Sequence, residues 1–226
     1  MSRASILWIC TDQQRWDTLG CYGNEYVRTP NLDRLAESGV VFDQCYCQNP
    51  VCAPSRASFL TGRYSRTTRC RQNGQGKPED EVLVTRLLSE GGYNCGLSGK
   101  PHLSACHPSV CPASERRIDD GYAEFQWSHD PMDAWPCNEH RHWVRERGAE
   151  VPSGNTELSE YVRRGFAAEH HQTTWCAEKV ITFMEDCAAF DRPWLFSVNI
   201  FSDKCCTIQE REYNGILVQS RPDRSL

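Results

Sequence analysis

The sequence of 226 residues lacks several features, and each absence excludes a class of protein. No apolar run approaches the roughly 20 residues of a transmembrane helix, so we expect neither a membrane span nor a membrane partner. The apolar segment at residues 6–10 is too short for a signal-peptide core, so a cytoplasmic location is expected. The net charge of −5 offers no basic face to a phosphate backbone, which argues against a nucleic-acid partner.

Cysteine, in contrast, is abundant, with 14 residues. A disulfide framework is not expected in a cytoplasmic chain, because cytosolic thiols stay reduced. The closely spaced cysteine pairs also lack the paired C-x2-C spacing of a structural zinc site. These pairs are Cys45/Cys47, Cys106/Cys111 and Cys205/Cys206. We therefore expect most of the cysteines to be small core or loop residues.

Strand and helix patterns alternate along most of the chain. The pattern predicts strands at residues 5–10, 40–42, 93–97 and 194–201, the first of them fully buried. Helices are predicted from the N-cap Thr29, from Ser55, over residues 80–90 and over residues 170–188. Residues 104–155 look irregular and predict a long insertion over the sheet. This alternation indicates a largely parallel α/β sheet, whose ligands bind beyond the carboxyl ends of its strands.

The segment Cys52–Arg63 carries the strongest functional signal. It matches the pattern C-x-P-S-R-x-x-x-L-T-G-R at every fixed position. On this segment the chain resembles the type I, formylglycine-dependent sulfatases of bacterial type. The resemblance implies an alkaline-phosphatase-like fold with a mostly parallel sheet flanked by helices. It also implies that a maturation enzyme oxidises Cys52 to formylglycine, whose hydrated aldehyde attacks sulfur and later expels sulfate.

Two further segments resemble the same family. Asp12 and Gln13 stand where family members carry two adjacent metal ligands after the first strand, and Gln13 keeps an oxygen donor without a charge. Gly99-Lys100-Pro101-His102-Leu103 resembles the family segment G-K-x-H-L. The resemblance implies that Lys100 holds the sulfate oxygens and that His102 hydrogen-bonds the formylglycine hydroxyl. Histidine can act as an acid or a base near neutral pH, which suits that role.

The chemistry of these residues suits a sulfate ester. Arg56 presents a forked set of donors that matches tetrahedral oxyanions, and a helix starting near Ser55 would point free N–H groups at the same anion. The resemblance implies that Asp12, Gln13 and the residue at position 52 bind a divalent cation. Calcium is expected for a many-oxygen site, with Mg²⁺ or Mn²⁺ as alternatives. Such a cation would lower the pKa of the attacking hydroxyl.

The end of the chain departs from the family pattern. The resemblance covers residues 5–201, and Ser202-Asp203-Lys204-Cys205-Cys206 replaces an expected Pro-His segment. We therefore expect residues 1–201 to form the N-terminal part of a truncated sulfatase catalytic domain. Residues 202–226 are expected to be a divergent tail, unstructured or frame-shifted. For the remaining histidine pairs, His140/His142 and His170/His171, we predict surface or capping roles.

These observations predict a sulfuric ester hydrolase that acts on a small-molecule or glycan sulfate ester and is weak or inactive as this chain. Two alternatives stay open. One is a phosphonate monoester or phosphodiester hydrolase, which uses the same formylglycine and metal apparatus. The other is a non-catalytic fragment.

Overall fold

The computed structural model describes residues 3–107, 109–132, 135–152, 155–156, 159–201 and 206–208. Its larger sheet contains four parallel strands in the order β1-β6-β2-β3. These strands are β1 (Ile6–Thr11), β2 (Asn94–Gly99), β3 (Glu124–Trp127) and β6 (Trp194–Ile200). The predicted parallel α/β sheet is thereby confirmed. A smaller sheet has the order β4-β5-β7, with β4 (Asn155–Thr156), β5 (Ser159–Arg164) and β7 (Cys206–Ile208).

The described residues form six α-helices and three short 3-10 helices. The 3-10 helices are Trp16–Thr18, Gly20–Tyr22 and Ala168–His170. None of the described helices is long and apolar enough to cross a membrane. The α-helices are α1 (Pro30–Ser38), α2 (Cys52–Thr61), α3 (Ser65–Thr68), α4 (Val84–Glu90), α5 (Glu139–Glu146) and α6 (Gln172–Ala189).

The central strand β6 and helix α6 carry the main core. Strand β6 lies between β1 and β2, and its near-continuous apolar sequence is buried, as is usual for an inner parallel strand. Phe183 of α6 packs against Phe196 of β6 with the two rings tilted and their centroids 4.8 Å apart. Gly96 of β2 makes this contact possible, because a Cβ there would lie 2.5 Å from the Phe196 ring. The main core thus covers one face of the sheet.

Several boundary predictions were wrong. No strand forms at residues 40–42, where Val40 and Phe42 are exposed and pair with no described strand. Strand β1 is not fully buried, because it lies at the edge of the sheet and exposes Leu7, Trp8 and Ile9. The segment 104–155 is more than an irregular insertion, since it supplies β3 to the sheet and contains α5. The helix predicted from residue 80 begins at Val84.

The tail contributes one described element. Cys206–Ile208 is β7, which pairs in parallel with β5. Residues 202–205 and 209–226 lie outside the described residues, so the prediction of an unstructured or frame-shifted tail stays a prediction.

The histidine predictions were partly correct. His171 caps α6 by accepting a hydrogen bond from the backbone N–H of Thr173, which confirms a capping role. His140 is not a surface residue, because its ring is fully buried against Phe166, with centroids 4.9 Å apart, and near Trp175. Its Nε2 lies 2.8 Å from the carbonyl oxygen of His170. Sequence spacing missed this burial because the surrounding stretch is strongly charged.

The burial of His140 predicts an acid-sensitive core. Burial lowers the pKa of His140 to about 4, although its bond to the His170 carbonyl opposes the shift. The imidazole of an unfolded chain titrates near 6.5, so between pH 6.5 and 4 only the unfolded state gains the proton. The free energy of unfolding should therefore fall by up to about 3 kcal/mol as the pH drops through this window.

Urea unfolding at pH 7 and pH 4.5 measures this effect. The variant His140→Gln should lose clearly less stability between the two pH values than the wild type does. His107→Gln, at an exposed histidine, should keep the wild-type pH dependence. Equal pH dependence in the wild type and His140→Gln would contradict the prediction.

Candidate active site

The candidate site lies at the carboxyl ends of β1 and β2. Asp12 follows β1 directly, and its backbone N–H donates to the carbonyl of Ile200 at 3.0 Å. Lys100 follows β2, and its backbone N–H donates to the carbonyl of Asn199 at 3.0 Å. Cys52 is the first residue of α2. Three segments that are distant in sequence therefore meet at one edge of the parallel sheet, where ligands of such sheets bind.

The side chains of these residues are in contact. Lys100 Nζ lies 2.8 Å from Asp12 Oδ2, and both Lys100 Nζ and Asp12 Oδ1 lie 3.7 Å from Cys52 Sγ. Arg56, one turn along α2, donates to the carbonyl oxygen of Lys100 at 2.7 Å and places Nη2 3.6 Å from Asp12 Oδ1. Three residues chosen from sequence motifs, Asp12, Arg56 and Lys100, thus contact one another beside the Cys52 thiol.

The charges around Cys52 are buried and do not balance. Asp12, Arg56 and Lys100 are 6%, 3% and 1% exposed. Burial alone would raise the pKa of Asp12, but Lys100 and then Arg56 outweigh it, so the pKa lies below its ordinary value. The carboxylate is therefore charged at neutral pH and meets two cations. The cluster of these three side chains holds one positive charge in excess, which favours binding of an anion.

Helix α2 differs from the prediction at its start. It begins at Cys52 and not at Ser55, because Pro54 fits the first turn of a helix, where a missing N–H is tolerated. The N–H of Ala53 donates to Asn73 Oδ1 at 3.0 Å, and that of Ser55 donates to the carbonyl of Val51 at 3.0 Å. The expected free N–H groups at residues 53–55 are therefore absent. The side chains of Arg56 and Lys100, and not the N–H groups of the helix, would therefore attract an anion.

A glycine and an ion pair hold the two motifs in place. Gly99 has a φ of 99°, and a Cβ at this position would lie 1.9 Å from the carbonyl oxygen of Asn199 in β6. Only glycine allows the chain to pass so closely before Lys100. Arg63, the last residue of the sequence motif, donates to both carboxylate oxygens of buried Glu81 at 3.1 and 2.9 Å. Its role in the described structure is to anchor the end of α2.

Gln13 and His102 share an uncommon backbone conformation. Their φ angles are 56° and 48°, in the left-handed region that few residues other than glycine adopt. Gln13 is exposed, whereas His102 is buried with its ring edge-on to that of His129 at 4.5 Å between centroids. Residues held in such conformations cluster at functional sites. The roles predicted for both stay predictions.

The oxygen donors of Asp12, of its neighbour Gln13 and of a modified residue 52 suit one side of a divalent-cation site. Asp12 offers a buried carboxylate, Gln13 an amide oxygen, and residue 52 would add a hydroxyl once its thiol is replaced by a hydrated aldehyde. A calcium ion takes six to eight oxygen ligands. Of the described residues, Asp12 is the carboxylate in contact with Cys52. The donor chemistry fits, and these residues supply part of a full ligand set.

Sequence reasoning missed two residues that shape the site. Asn73 accepts the N–H of Ala53 and sits in a loop without any periodic pattern. Buried Glu115 accepts the backbone N–H groups of His102 and Ser104 at 3.1 and 2.8 Å, and also that of Leu103. Neither residue lies in a recognisable motif. Only the folded chain shows that they hold the segments carrying Cys52 and His102.

Comparison with known proteins gives the family. The family model described as Sulfatase matches residues 4–198, which is most of the chain. The chain belongs to the sulfatase family. The resemblance based on Cys52–Arg63 is therefore confirmed.

Similar proteins include enzymes named as sulfatases. The chain is 42% identical to human steryl-sulfatase over 118 residues, covering 47% of this chain and 20% of that protein. It is 29% identical to an arylsulfatase of Clostridium perfringens over 196 residues, covering 80% of this chain and 40% of that protein. The chain thus spans less than half the length of these relatives. The family is one of sulfuric ester hydrolases.

Solved structures agree with the fold. The phosphonate monoester hydrolase of Agrobacterium radiobacter superposes with a TM-score of 0.70 at 25% identity, covering 88% of this chain and 41% of that chain. The predicted alkaline-phosphatase-like fold is confirmed. Similarity to this hydrolase also keeps the second predicted reaction class open.

Proposed function

We propose that this chain carries the nucleophile and the anion-binding residues of a formylglycine-dependent sulfuric ester hydrolase. The observation that carries the proposal is the surplus of buried positive charge around Cys52. Lys100 Nζ lies 3.7 Å from the thiol, and Arg56 lies one helical turn away. Lys100 and Arg56 share the single carboxylate of Asp12, and a sulfate ester would supply the second negative charge. The family match names the same ester class.

The chain's own residues bind and orient the ester in this proposal. Lys100 and Arg56 contact the non-bridging sulfate oxygens and stabilise the charge that grows on them in the transition state. Asp12 holds the Lys100 ammonium at 2.8 Å and thereby fixes its direction relative to residue 52. His102 exchanges a proton with the hydroxyl at residue 52. When present, formylglycine supplies the nucleophilic hydroxyl, and a divalent cation lowers the pKa of that hydroxyl.

Asp12, Gln13 and residue 52 would hold that cation. Calcium suits oxygen donors in an irregular site, and Mg²⁺ or Mn²⁺ is the alternative. Substrates would be small-molecule or glycan sulfate esters, and a formylglycine-generating enzyme would be a partner during maturation. The cytoplasmic location stays a prediction.

A phosphonate or phosphodiester hydrolase is the second candidate. The observation that favours it is the structural similarity to the Agrobacterium radiobacter enzyme. Lys100 and Arg56 would recognise tetrahedral phosphonate oxygens by the same contacts. A parallel panel of aryl sulfate and phosphonate esters, assayed on the matured chain with excess calcium and on a Cys52→Ala control, separates the two reactions. Turnover of neither ester would leave the non-catalytic fragment as the remaining alternative.

The nucleophile is tested by maturation of Cys52. When the chain is co-expressed with a formylglycine-generating enzyme, we expect Cys52 to be converted to the aldehyde. The tryptic fragment 35–56 also contains Cys45 and Cys47, so fragment-ion sequencing by mass spectrometry would be used to assign the change to Cys52. Cys10 and Cys45 lie outside the motif and should keep their thiols. An unmodified Cys52 under conditions that mature a known sulfatase would contradict the proposal.

A further inference from the structure

A second group of potential metal ligands lies next to His102, on the side where the ring of His129 contacts the His102 ring. Cys106, Glu115 and His129 bring a thiol sulfur, a carboxylate oxygen and an imidazole nitrogen within 4.8 Å of one another. Glu115 and His129 are buried, and Cys106 is partly buried. Within the described ranges, no other group of three histidine, cysteine, aspartate or glutamate side chains is as close.

The imidazole of His129 is the first sign of a missing partner. Its Nδ1 is buried and makes no hydrogen bond. It lies 3.8 Å from Glu115 Oε2, which is too long for a hydrogen bond. Two ligands bonded at about 2.0–2.2 Å to one tetrahedral zinc ion lie roughly 3.3–3.6 Å apart. A small contraction of the pair would therefore place a metal ion between them.

The charge of Glu115 is the second sign. Its carboxylate accepts hydrogen bonds from three backbone N–H groups and from Trp127 Nε1 at 3.4 Å, all of them neutral donors. No lysine or arginine of the described residues lies within 4.0 Å of it. A buried charge is normally paired with an opposite charge or with a metal. A divalent cation beside His129 would provide that opposite charge.

We propose that Cys106, Glu115 and His129 form a zinc site, with Cys111 as the fourth ligand. A set of thiolate and imidazole ligands selects zinc over calcium or magnesium, which prefer oxygen. Cys111 is buried, and Cys106 packs against the cluster that Cys111 forms with Trp127 and Trp135. Each thiol loses its proton to solvent when it binds the metal.

Zinc binding at this site should depend on pH, because a coordinating thiol must lose its proton. A bound divalent cation reverses the sign of the local field and deprotonates a coordinating thiol. Zinc affinity should therefore fall as the pH is lowered, because protons compete for the ligands.

The site lies where it would stiffen the candidate active site. Glu115 binds the backbone of residues 102–104, and the ring of His129 packs against that of His102. A zinc ion joining Glu115 to His129 would fix the segment that follows Lys100. Its function would be to position His102, without contact with the substrate.

Cobalt and zinc binding to the full 226-residue chain tests the proposal. We expect one equivalent of Co²⁺ to give thiolate-to-metal charge-transfer absorption and the spectrum of a tetrahedral ion, and Zn²⁺ to displace it. X-ray absorption of the zinc-loaded chain should show sulfur together with nitrogen or oxygen ligands. The same signals should persist in Cys52→Ala, which separates this site from the one around the candidate nucleophile.

Substitutions locate the site. Cys106→Ser and His129→Gln should each weaken zinc binding by more than about 100-fold, since each removes a direct ligand. Cys137→Ser and His107→Gln alter exposed side chains nearby and should bind zinc as the wild type does. Absence of sulfur ligands in the wild type, or unchanged affinity in both ligand variants, would overturn the proposal. The wild-type spectra decide the matter even if a ligand variant fails to fold.

Discussion

Replacing Asp12 by alanine should lower the free energy of unfolding by about 3–5 kcal/mol, because two buried cations lose the carboxylate that they share. Lys100 and Arg56 are almost completely buried, and Asp12 is the acidic partner that the structure shows for each of them. Without it, Lys100 Nζ keeps the Cys52 thiol as a neighbour, which is a weak acceptor. Arg56 keeps its hydrogen bond to the Lys100 carbonyl, and Lys100 keeps its contact with the Phe201 ring, but both partners are neutral, so no negative charge offsets the desolvation of the two cations.

Chemical denaturation at pH 7 measures this loss. The matched control is Asp17→Ala, because Asp17 pairs with Arg15 in an exposed ion pair and its removal should change little. The difference between the wild type and Asp12→Ala should be full above the unfolded-state pKa of about 3.9 and shrink as the pH falls through the lowered folded-state value. Equal stability of Asp12→Ala and Asp17→Ala would show that Lys100 and Arg56 find other partners.

The same substitution tests the metal. In the proposed function, Asp12→Ala should abolish binding of calcium at this site, whereas Gln13→Ala should weaken it less. A neutral amide attracts a cation less strongly than a carboxylate does. Isothermal titration of the matured chain with calcium separates the two variants. If neither substitution changed the calcium affinity, Asp12 and Gln13 would not be metal ligands and would simply be residues at the end of a strand.

Replacing Gly99 by alanine should have a comparably large effect. The added Cβ would lie 1.9 Å from the carbonyl oxygen of Asn199 and 2.8 Å from its carbonyl carbon, both of them backbone atoms of β6. Relief requires β2 and β6 to separate, which breaks the bond from Lys100 N–H to that carbonyl. Overpacking costs about 1–3 kcal/mol and the positive φ adds about 1–3 kcal/mol, so we expect a loss on the order of 2–6 kcal/mol.

Gly148→Ala is the control for Gly99→Ala. Gly148 has a φ of 70°, and no atom lies within 4 Å of a Cβ built there, so its substitution adds backbone strain without a clash. Urea unfolding of the two variants isolates the contribution of the clash. A loss in Gly99→Ala no larger than that in Gly148→Ala would mean that the strands separate without significant cost. Amide exchange at Lys100 would report the local opening directly.

The sequence predicted the architecture better than the boundaries of its elements. The continuous apolar run of β6 and the alternation around it indicated a parallel sheet, because inner parallel strands are buried on both faces. The burial of β1 could not be predicted, since the same apolar pattern fits a central or an edge strand. Helix α5 was missed because its charged residues hide a buried face, which includes His140 and Trp143.

In the candidate site, too, sequence motifs identified the main residues but not the contacts that hold them in place. Motifs selected Asp12, Cys52, Arg56 and Lys100, and the folded chain brings their side chains into contact. Spacing could not show that the N–H of Ala53 in the first turn of α2 is already bonded, because Asn73 reaches it from a separate loop. Nor could it reveal Glu115, whose contacts with residues 102–104 depend on the path of an irregular segment.

The edge position of β1 should make this chain prone to intermolecular strand pairing in solution. No described strand pairs with its outer side, and Leu7, Trp8 and Ile9 are exposed beside those unpaired backbone groups. Such an edge is a template for pairing with another chain. Two molecules must meet for this to happen, so loss of monomer should accelerate with protein concentration. Dilution should therefore preserve the monomer.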